Sequence, residues 1–503
     1  MSRTAGILMP VTSLPGKYGI GCFSKQAYAF VDWLRDAGQS YWQILPIHPT
    51  SFGDSPYQSF STFAGNPYFI SLEDLIEEGV LTRKECDTAD FGENPLKVDY
   101  DKLHDHRLKL LHKAYERSNI SLNPDYQKFL KENNWWLQDY ALFMALKDFF
   151  GGVCWTEWPQ DIRLHWGFAL DYYREKLYFD IEFQQYLQFK FFQQWLKLKA
   201  YANDKGIQII GDMPIYVSLD SSDVWAHPEL FQLDENNKPT AIAGCPPDSF
   251  SADGQVWGNP LYRWDYHEKT DYSWWVSRLY QSFRLYDSVR IDHFRGMDEY
   301  FSIPYGAKSA KDGHWEPGPG MKLFNMVEKK LGKKQLIAED LGLMTDSVRK
   351  LVKDSGFPNM KVIQFGFDIN DQGKTNDYLP HNYDRNCAVY TGTHDNETIS
   401  GWFLGLKKKE KQLLRDYIGD QTTPDQEFYR SINRMAMACT ADICVLPLQD
   451  VLGLGNEARM NQPSTVMTNW RWRMGADMLT KEAQKELLEL TKRYGRFNWL
   501  TKK

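Results

Sequence analysis

The sequence predicts an α/β protein built on a (β/α)₈ barrel, a TIM barrel with inserted subdomains. Eight short apolar runs rich in Ile and Val recur along the 503 residues, and amphipathic helical patterns follow several of them. Continuous apolar runs are typical of parallel strands buried on both faces, and eight strand-then-helix units can close a barrel. A doubly wound sheet is the alternative for the same pattern.

The apolar runs give the predicted barrel strands in chain order. They are GILMPV (6–11), WQILPI (42–47), IQIIGDMPIYV (207–217), SVRIDHF (288–294), QLIAED (335–340), KVIQFGF (361–367), CAVYTGTHD (387–395) and ICVLPL (443–448). Amphipathic segments predict helices at 24–38, 324–332, 345–356, 429–438 and 480–494. We expect no separate carboxy-terminal β domain after the last of these segments.

Two intervals are too long to be simple connections between strands. The first, about 50–206, contains aromatic-rich stretches with helical character, such as DYALFMALKDFF, and predicts a largely helical subdomain. The second, about 218–286, is rich in Pro, Gly, Asp and Trp and predicts a shaped loop region over a cleft. We therefore expect one catalytic barrel over residues 1–503 that carries both insertions.

Composition excludes several classes of partner. Lys and Arg number 59 against 66 Asp and Glu, and the net charge of −7 argues against nucleic acid or anionic membranes as partners. The amino-terminal residues lack the apolar core of a signal peptide, and no apolar run approaches the roughly 20 residues of a membrane span. Seven cysteines, an odd number without CxxC pairing, favour reduced thiols in the cytoplasm.

Three predicted strands end in acids: Asp292, Glu339 and Asp395. Barrel active sites lie at this end of the strands, so the three side chains are expected on one face. A single acid in this position is often the N-cap of the next helix, and strand-end acids also form structural ion pairs. From spacing alone, the structural and functional interpretations both stay open.

Glycosyl transfer is a reaction that such a set of acids can perform. A carboxylate nucleophile and a carboxylic acid about 5 to 5.5 Å apart can form and break a covalent glycosyl-enzyme intermediate. A third carboxylate can stabilise positive charge at the anomeric carbon. Arg290 lies two residues before Asp292 and is expected on the same strand face, where it would hold Asp292 ionised. In a regular strand His293 would point away, between barrel and helices. His394 lies beside Asp395 and is a candidate donor to a sugar hydroxyl.

Several segments, taken in their order along the chain, closely resemble the sequences of one enzyme family. They are LPGKYGIG (14–21), DSPYQSFSTFAGNPYFI (54–70), GDMPIYV (211–217), GCPPDSFSADGQVWGNPLY (244–262), VRIDHFRG (289–296), IAEDLG (337–342), GTHDNET (392–398) and NWRWR (469–473). Together they are similar to the bacterial 4-α-glucanotransferases, also called amylomaltases or disproportionating enzymes, of glycoside hydrolase family 77 in the α-amylase clan. The resemblance covers nearly the whole chain.

The resemblance implies roles that spacing does not assign. Asp292 matches the family's nucleophile, Glu339 its general acid/base and Asp395 its transition-state stabiliser. Residues implied in substrate binding are Tyr57, Asp212, Trp257, Arg290, His394 and Asn461. The loop from Cys245 to Trp257 matches a flexible segment over the cleft. Ser464 in NQPST departs from the glycine that many relatives carry, which puts the conformation of that loop in question.

The implied activity is transfer of an α-1,4-glucan segment to the 4-hydroxyl of glucose or a maltooligosaccharide, with no metal and no organic cofactor. A retaining α-glucan hydrolase of the same clan is the nearest alternative, since it would carry the same three acids. A glucan-binding protein without activity on the same barrel is the alternative from another class. The sequence does not fix the donor length, any cyclic product or the oligomeric state.

Overall fold

A computed structural model of the protein describes residues 3–247, 252–342, 344–371 and 376–502. In chain order its strands are β1 Thr4–Leu8, β2 Tyr41–Gln43, β3 Gln208–Met213, β4 Ala241–Cys245, β5 Gln255–Pro260, β6 Ser288–Ile291, β7 Glu299–Pro304, β8 His314–Pro317, β9 Leu336–Ala338, β10 Asn359–Val362, β11 Cys387–Tyr390 and β12 Ile443–Pro447. They form a closed barrel and a separate four-stranded sheet.

Eight parallel strands close the barrel in the order β1-β12-β11-β10-β9-β6-β3-β2. Each of these strands overlaps one of the eight predicted runs, although β10 shares only residues 361–362 with its run. The (β/α)₈ prediction is confirmed and the doubly wound alternative is wrong. The ring closes where Thr4 of β1 pairs with Ile443 of β12. On the other side, Asp212 of β3 lies opposite Arg290 of β6. This register brings two strand-end charges together.

The helices in the described part of the chain surround the barrel and fill the insertions. They are α1 Lys25–Asp36, α2 Leu72–Glu77, α3 Arg83–Thr88, α4 Tyr100–Ser118, α5 Pro124–Phe149, α6 Gln160–Arg163, α7 Gly167–Lys176, α8 Tyr178–Asp204, α9 Ser222–Ala226, α10 Trp264–Lys269, α11 Ser273–Leu285, α12 Met321–Leu331, α13 Asp346–Ser355, α14 Ile399–Gly405, α15 Lys408–Ile418, α16 Tyr429–Ala438, α17 Leu448–Val451 and α18 Lys481–Arg493. Among these described helices, none is both long and apolar enough to cross a bilayer.

The five predicted helices appear as α1, α12, α13, α16 and α18, with ends shifted by at most three residues. Capping explains the sharp boundaries of α13. The Thr345 hydroxyl accepts the amide of Val348 at its start, and Gly356 ends it in the left-handed region at φ 66°. In the described residues between β10 and β11, three 3₁₀ turns stand in place of an α-helix.

The long helices α5 and α8 dominate the segment between β2 and β3. Their aromatic faces interlock, as in the Tyr126–Phe189 ring pair at 5.6 Å. The side-chain amide of Gln188 in α8 accepts the amide of Gly65 (2.7 Å) and donates to its carbonyl (2.9 Å). A side chain at Gly65 would lie 2.1 Å from the Phe191 ring. The helical insertion therefore positions the chain segment that follows Tyr57.

Strands β4, β5, β7 and β8 form an antiparallel sheet in the order β5-β4-β7-β8. The interval 218–286, for which the sequence predicts a shaped loop region over a cleft, holds two strands and helices α9 to α11. Strand β4 pairs with β7, which lies beyond β6 in the chain, so local patterning did not reveal the partner. After β12 the described residues contain helices and turns but no strand, in keeping with the predicted absence of a carboxy-terminal β domain.

Candidate active site

Four acids meet at the carboxyl ends of the barrel strands. Asp212 lies in β3, while Asp292, Glu339 and Asp395 follow β6, β9 and β11. Parallel strands all end on the same side of the barrel, so the strand-end position alone places these acids on a common face. The contacts of Arg290 show that three of them are close neighbours.

The Arg290 guanidinium is buried among three carboxylates. Its Nη1 lies 2.7 and 2.8 Å from the two oxygens of Asp212 and 2.9 Å from Oδ1 of Asp292. Its Nη2 lies 4.0 Å from Oε2 of Glu339. Buried charge is tolerated only when it is paired, and here one cation is shared by several acids. Carboxylates at the ends of the neighbouring strands therefore balance the positive charge of Arg290 in β6.

Burial is the largest influence on Asp292. It raises the pKa of the Asp292 carboxyl to about 6, against the opposing effect of the Arg290 charge. Arg290 favours the ionised form of Asp292, as expected from the sequence, but burial outweighs the cation and neighbouring carboxylates add to the effect of burial. The carboxyl is still mostly ionised at pH 7, as a nucleophile requires.

The environment of Glu339 also raises the pKa of its carboxyl. Burial raises the pKa of its carboxyl to about 7, helped by the charge of Asp292 and opposed by Arg290. Its two oxygens accept the backbone amides of His293 and Leu341, each at 2.7 Å. These bonds fix the carboxyl and favour its ionised form, but burial outweighs them, so the pKa stays above that of an ordinary glutamic acid. A group of this kind can donate a proton and take it back.

Asp395 is held mainly by two residues that follow β12, Arg459 and Asn461. The Asn461 side-chain amide donates to its Oδ1 at 2.6 Å, and Nε2 of His394 lies 3.3 Å from the same oxygen. The Arg459 guanidinium donates to the Asp395 carbonyl at 2.8 Å. The Asp395 side chain remains 44% exposed, so it can meet a ligand in the cleft.

Tyr57 contacts both Asp212 and His394, and so connects the cluster around Arg290 with the residues around Asp395. Its hydroxyl donates to Oδ2 of Asp212 at 2.6 Å, and its ring stacks on His394 at a centroid distance of 5.1 Å and 18°. Trp470 packs against both rings at 5.8 Å. The first insertion thus contributes Tyr57 to an aromatic wall, and Tyr57 is bonded directly to the carboxylate cluster.

His293 does not lie where a regular strand would place it. Strand β6 ends at Ile291, and His293 adopts the left-handed conformation at φ 53°. Its ring stands perpendicular to Trp257 of β5 at 4.9 Å, so the expected position between barrel and helices is wrong. The Trp257 indole donates to the side-chain oxygen of Gln255 at 3.0 Å. Residues 248–251 of the predicted covering loop lie outside the described part of the chain.

Asp450 is a buried acid beside the site that the sequence reasoning did not select. Its carboxylate accepts the Thr391 hydroxyl (2.6 Å) and the Ile399 amide (2.7 Å), which are the two ends of the loop that carries Asp395. Its side chain is almost completely buried, and burial raises its pKa to about 7. The signal was available, because Asp450 follows β12 as another acid near a strand end.

Ser464 adopts φ 65°, in the region that glycine populates most readily. The departure from glycine therefore falls at a position where a serine backbone is strained. The loop around Ser464 is exposed and follows Asn461 directly.

In the described residues there is no group of three or more His, Cys, Asp or Glu side chains arranged to hold a metal ion.

Comparisons with known proteins agree along the whole chain. A family model described as 4-alpha-glucanotransferase matches residues 9–479. The 4-alpha-glucanotransferase of Clostridium butyricum is 47% identical over 490 residues, which cover 97% of this chain and 100% of the relative. That of Thermus thermophilus is 44% identical over 491 residues, which cover 96% of this chain and 97% of the relative.

Solved structures give the same result. An amylomaltase from Streptococcus agalactiae in complex with acarbose superposes with a TM-score of 0.95 at 44% identity, covering 99% of this chain and 100% of that one. An amylomaltase from Corynebacterium glutamicum, at 18% identity and a TM-score of 0.74 with 99% and 75% covered, shares the fold. These findings confirm the resemblance found in the sequence. The chain belongs to glycoside hydrolase family 77, the 4-alpha-glucanotransferases.

Proposed function

We propose that this 4-alpha-glucanotransferase moves a segment of an α-1,4-glucan to the 4-hydroxyl of glucose or a maltooligosaccharide by a retaining double displacement. The observation that carries the proposal is the arrangement of two buried carboxyls around one guanidinium. Nη1 of Arg290 lies 2.9 Å from Asp292 and its Nη2 lies 4.0 Å from Glu339, while burial raises the pKa of both carboxyls. The cation lies nearer to Asp292 and favours its ionised form, as a nucleophile requires, and the raised pKa of Glu339 is typical of a general acid.

In the first half-reaction the ionised Asp292 attacks the anomeric carbon and forms a glycosyl ester. The bond to the leaving 4-oxygen breaks as Glu339 gives that oxygen its proton. In the second half-reaction an acceptor 4-hydroxyl attacks the same carbon, Glu339 takes the proton back and Asp292 is released. One α-1,4 linkage forms for each one that breaks, and the configuration is retained.

Asp395 is proposed to stabilise the positive charge that develops on the sugar ring. Its bond from Asn461 and its exposure to the cleft support this role. Asp212 is proposed to hold Arg290, and through it the ionised Asp292. Tyr57, which donates to Asp212, and the remaining predicted binding residues are proposed to contact the sugar. These residues are Trp257, His394 and Asn461.

Two features support a sugar acceptor over water. The ring stack of Tyr57, His394 and Trp470 offers flat surfaces beside the carboxylates, and Trp257 approaches from the second insertion. A bound acceptor gains from proximity that free water lacks. The presence of all three acids argues against a protein that only binds glucan.

We further propose one catalytic unit over 1–503, with insertions at about 50–206 and 218–286, that acts in the cytoplasm.

Incubation with maltotriose tests this function directly. The proposal predicts glucose and a ladder of maltooligosaccharides longer than the substrate, with little net rise in reducing ends because linkages are conserved. Chromatography of the products and a reducing-sugar assay give both readouts on one sample. A rise in reducing ends in step with substrate loss, without longer products, would identify a hydrolase instead.

A further inference from the structure

His293 directly follows Asp292 in the chain and binds Glu339 through its backbone. Its amide donates to Oε2 of Glu339 at 2.7 Å, and the next amide, that of Phe294, donates to the Glu339 carbonyl at 2.9 Å. His293 makes its bond from the left-handed conformation, at φ 53° and ψ 48°. A residue with a side chain keeps such a conformation only where the surrounding structure holds it. The contacts of the His293 side chain therefore bear on the position of Glu339.

The imidazole of His293 is packed between two parts of the chain. It meets the Trp257 indole edge-on, with the ring centroids 4.9 Å apart and the planes at 90°. It also lies close to the backbone of Gly296, where an added Cβ would be 3.3 Å from the imidazole Cδ2. The other ring contact of Trp257 within the described residues is with Tyr216, at the longer distance of 6.2 Å. His293 is thus the nearest aromatic neighbour of Trp257 in that part of the chain.

The imidazole is held in its neutral form. Burial lowers the pKa of His293 to about 4, and the charge of Arg295 acts in the same direction. Nε2 of the ring is buried and has no hydrogen-bond partner among the described residues. The ring therefore acts by its flat shape, and it adds no positive charge beside Glu339 that would favour the ionised carboxylate. A phenyl ring, which is flat and uncharged, should be able to replace it.

The position of Trp257 relative to Glu339 indicates which sugar the indole meets. In the proposed mechanism Glu339 protonates the leaving oxygen and later takes the proton from the incoming hydroxyl. The leaving sugar and then the acceptor therefore occupy the side of the reacting carbon on which Glu339 lies. His293 contacts both Glu339 and Trp257, so the indole lies on that side as well.

We infer that His293 is a positioning residue that holds the indole on the acceptor side at a fixed place relative to the acid/base. Its backbone binds the Glu339 carboxyl while its ring packs against Trp257. A sugar stacked on the indole then presents its hydroxyl to a carboxyl that the same residue holds. The inference rests on the proposed function, which gives Glu339 its two proton transfers. It gives His293 an influence on acceptor binding without contact between His293 and the sugar.

Kinetics with two substrates test the inference. The donor is α-maltotriosyl fluoride at a saturating concentration, the acceptor is maltose at varied concentration, and chromatography follows the transfer product. Asn tolerates the left-handed conformation, so His293→Asn removes the ring and keeps the bond to Glu339. We expect it to raise the acceptor KM about tenfold and to change kcat at saturating acceptor by less than about threefold. His293→Phe should return the acceptor KM to within about twofold of the wild-type value.

His293 and Trp257 should act through each other. In a Trp257→Ala protein, adding His293→Asn should change the acceptor KM by less than about twofold, because the ring has no indole left to hold. His165→Asn is the matched control. His165 is also left-handed, at φ 60°, and its ring meets Trp225 edge-on at 4.5 Å, but it lies in the helical insertion between α6 and α7. This variant should leave the acceptor KM unchanged.

Hydrogen exchange gives a readout that does not require transfer. Exchange in a peptide covering 254–262 should be about threefold faster or more in His293→Asn than in the wild type, and unchanged in His165→Asn. An equal rise of the acceptor KM with and without Trp257 would overturn the inference, as would a His293→Phe protein that behaves like His293→Asn. Hydrolysis without any transfer product would count against the proposed function. The exchange result would then decide by itself whether His293 positions Trp257, and unaltered exchange would overturn that claim.

Discussion

Arg290 is bonded through one nitrogen to both carboxylate oxygens of Asp212, at 2.7 and 2.8 Å, in the interior of the barrel. The pairing follows from strand register, because the two residues lie opposite each other on β3 and β6. The same nitrogen reaches Asp292 at 2.9 Å. Asp212 therefore determines where the cation lies, and the cation in turn faces the proposed nucleophile.

We expect Asp212→Asn to lower kcat/KM on maltotriose by about 100-fold or more, because Arg290 loses its principal partner and no longer faces Asp292 correctly. Breaking a buried ion pair should also reduce stability by about 3–5 kcal/mol. Steady-state kinetics and thermal unfolding measure the two effects. Asp377→Asn is the control, because the Arg349–Asp377 pair has the same 2.7 Å separation but is exposed, and its loss should be nearly silent. Unchanged kinetics in Asp212→Asn would contradict the assigned role.

The pH dependence of kcat/KM should be bell-shaped with a narrow maximum. Activity requires Asp292 ionised and Glu339 protonated, so it should fall below about pH 6 and above about pH 7. The two limbs belong to the interacting pair as a whole. In Glu339→Gln, measured with α-glucosyl fluoride because fluoride leaves with little protonation, the alkaline limb should disappear. A limb retained there would assign it to another group.

Glu339→Gln should be more stable than the wild type at pH 8 and nearly equal to it at pH 4. Burial raises the folded-state pKa of Glu339 to about 7 from an ordinary 4.5, so protonation favours the folded state. That stabilisation is fully present below about pH 4.5 and is lost as the pH rises through about 7. Gln resembles the protonated acid and avoids the loss, which is about 1–3 kcal/mol. Denaturant unfolding at both pH values measures it, and a difference that is the same at both would refute this explanation.

Asp450→Asn should reduce kcat about tenfold or more while KM changes little. The carboxylate ties Thr391 to Ile399, and its loss frees the loop between them, which carries Asp395. Thr391→Val removes one of the same bonds and should act in the same direction. If Asp450 acts through this loop, the double variant should lose less than the product of the single effects. Independent, multiplicative losses would show that the two residues affect activity separately.

Local patterning was sufficient for the barrel, because each parallel strand overlaps a short apolar run and pairs with the barrel strand that comes before or after it in the chain. It failed for the antiparallel sheet, where AIAGC and QVWGNP are short and interrupted by Gly or Pro. Strand β7, which pairs with β4, comes from a separate part of the chain. Between β10 and β11, the described residues 363–371 and 376–386 form 3₁₀ turns and contain no α-helix, which local patterning did not indicate.

Asp292, Glu339 and Asp395 were accessible from sequence because strand ends define one face of a barrel, whereas Asp212 was indicated only by the family resemblance. Partners such as Tyr57 and Asn461 come from distant loops, and only the family resemblance pointed to them. The position expected for His293 requires a strand that continues past Ile291, whereas β6 ends there and His293 is left-handed. Asp450 also lies near a strand end, but its bonds to the loop that carries Asp395 cannot be read from strand patterning.

Capture of the glycosyl-enzyme intermediate tests the central claim most directly. Glu339→Gln protein mixed with α-maltotriosyl fluoride should accumulate a covalent adduct, because the fluoride leaves readily while the second half-reaction lacks its base. Peptide mass mapping of the quenched sample should place one maltotriosyl group on Asp292, and Glu339→Gln/Asp292→Asn protein should show none. An adduct on another carboxylate, or none during confirmed turnover of the fluoride, would contradict the double displacement at Asp292.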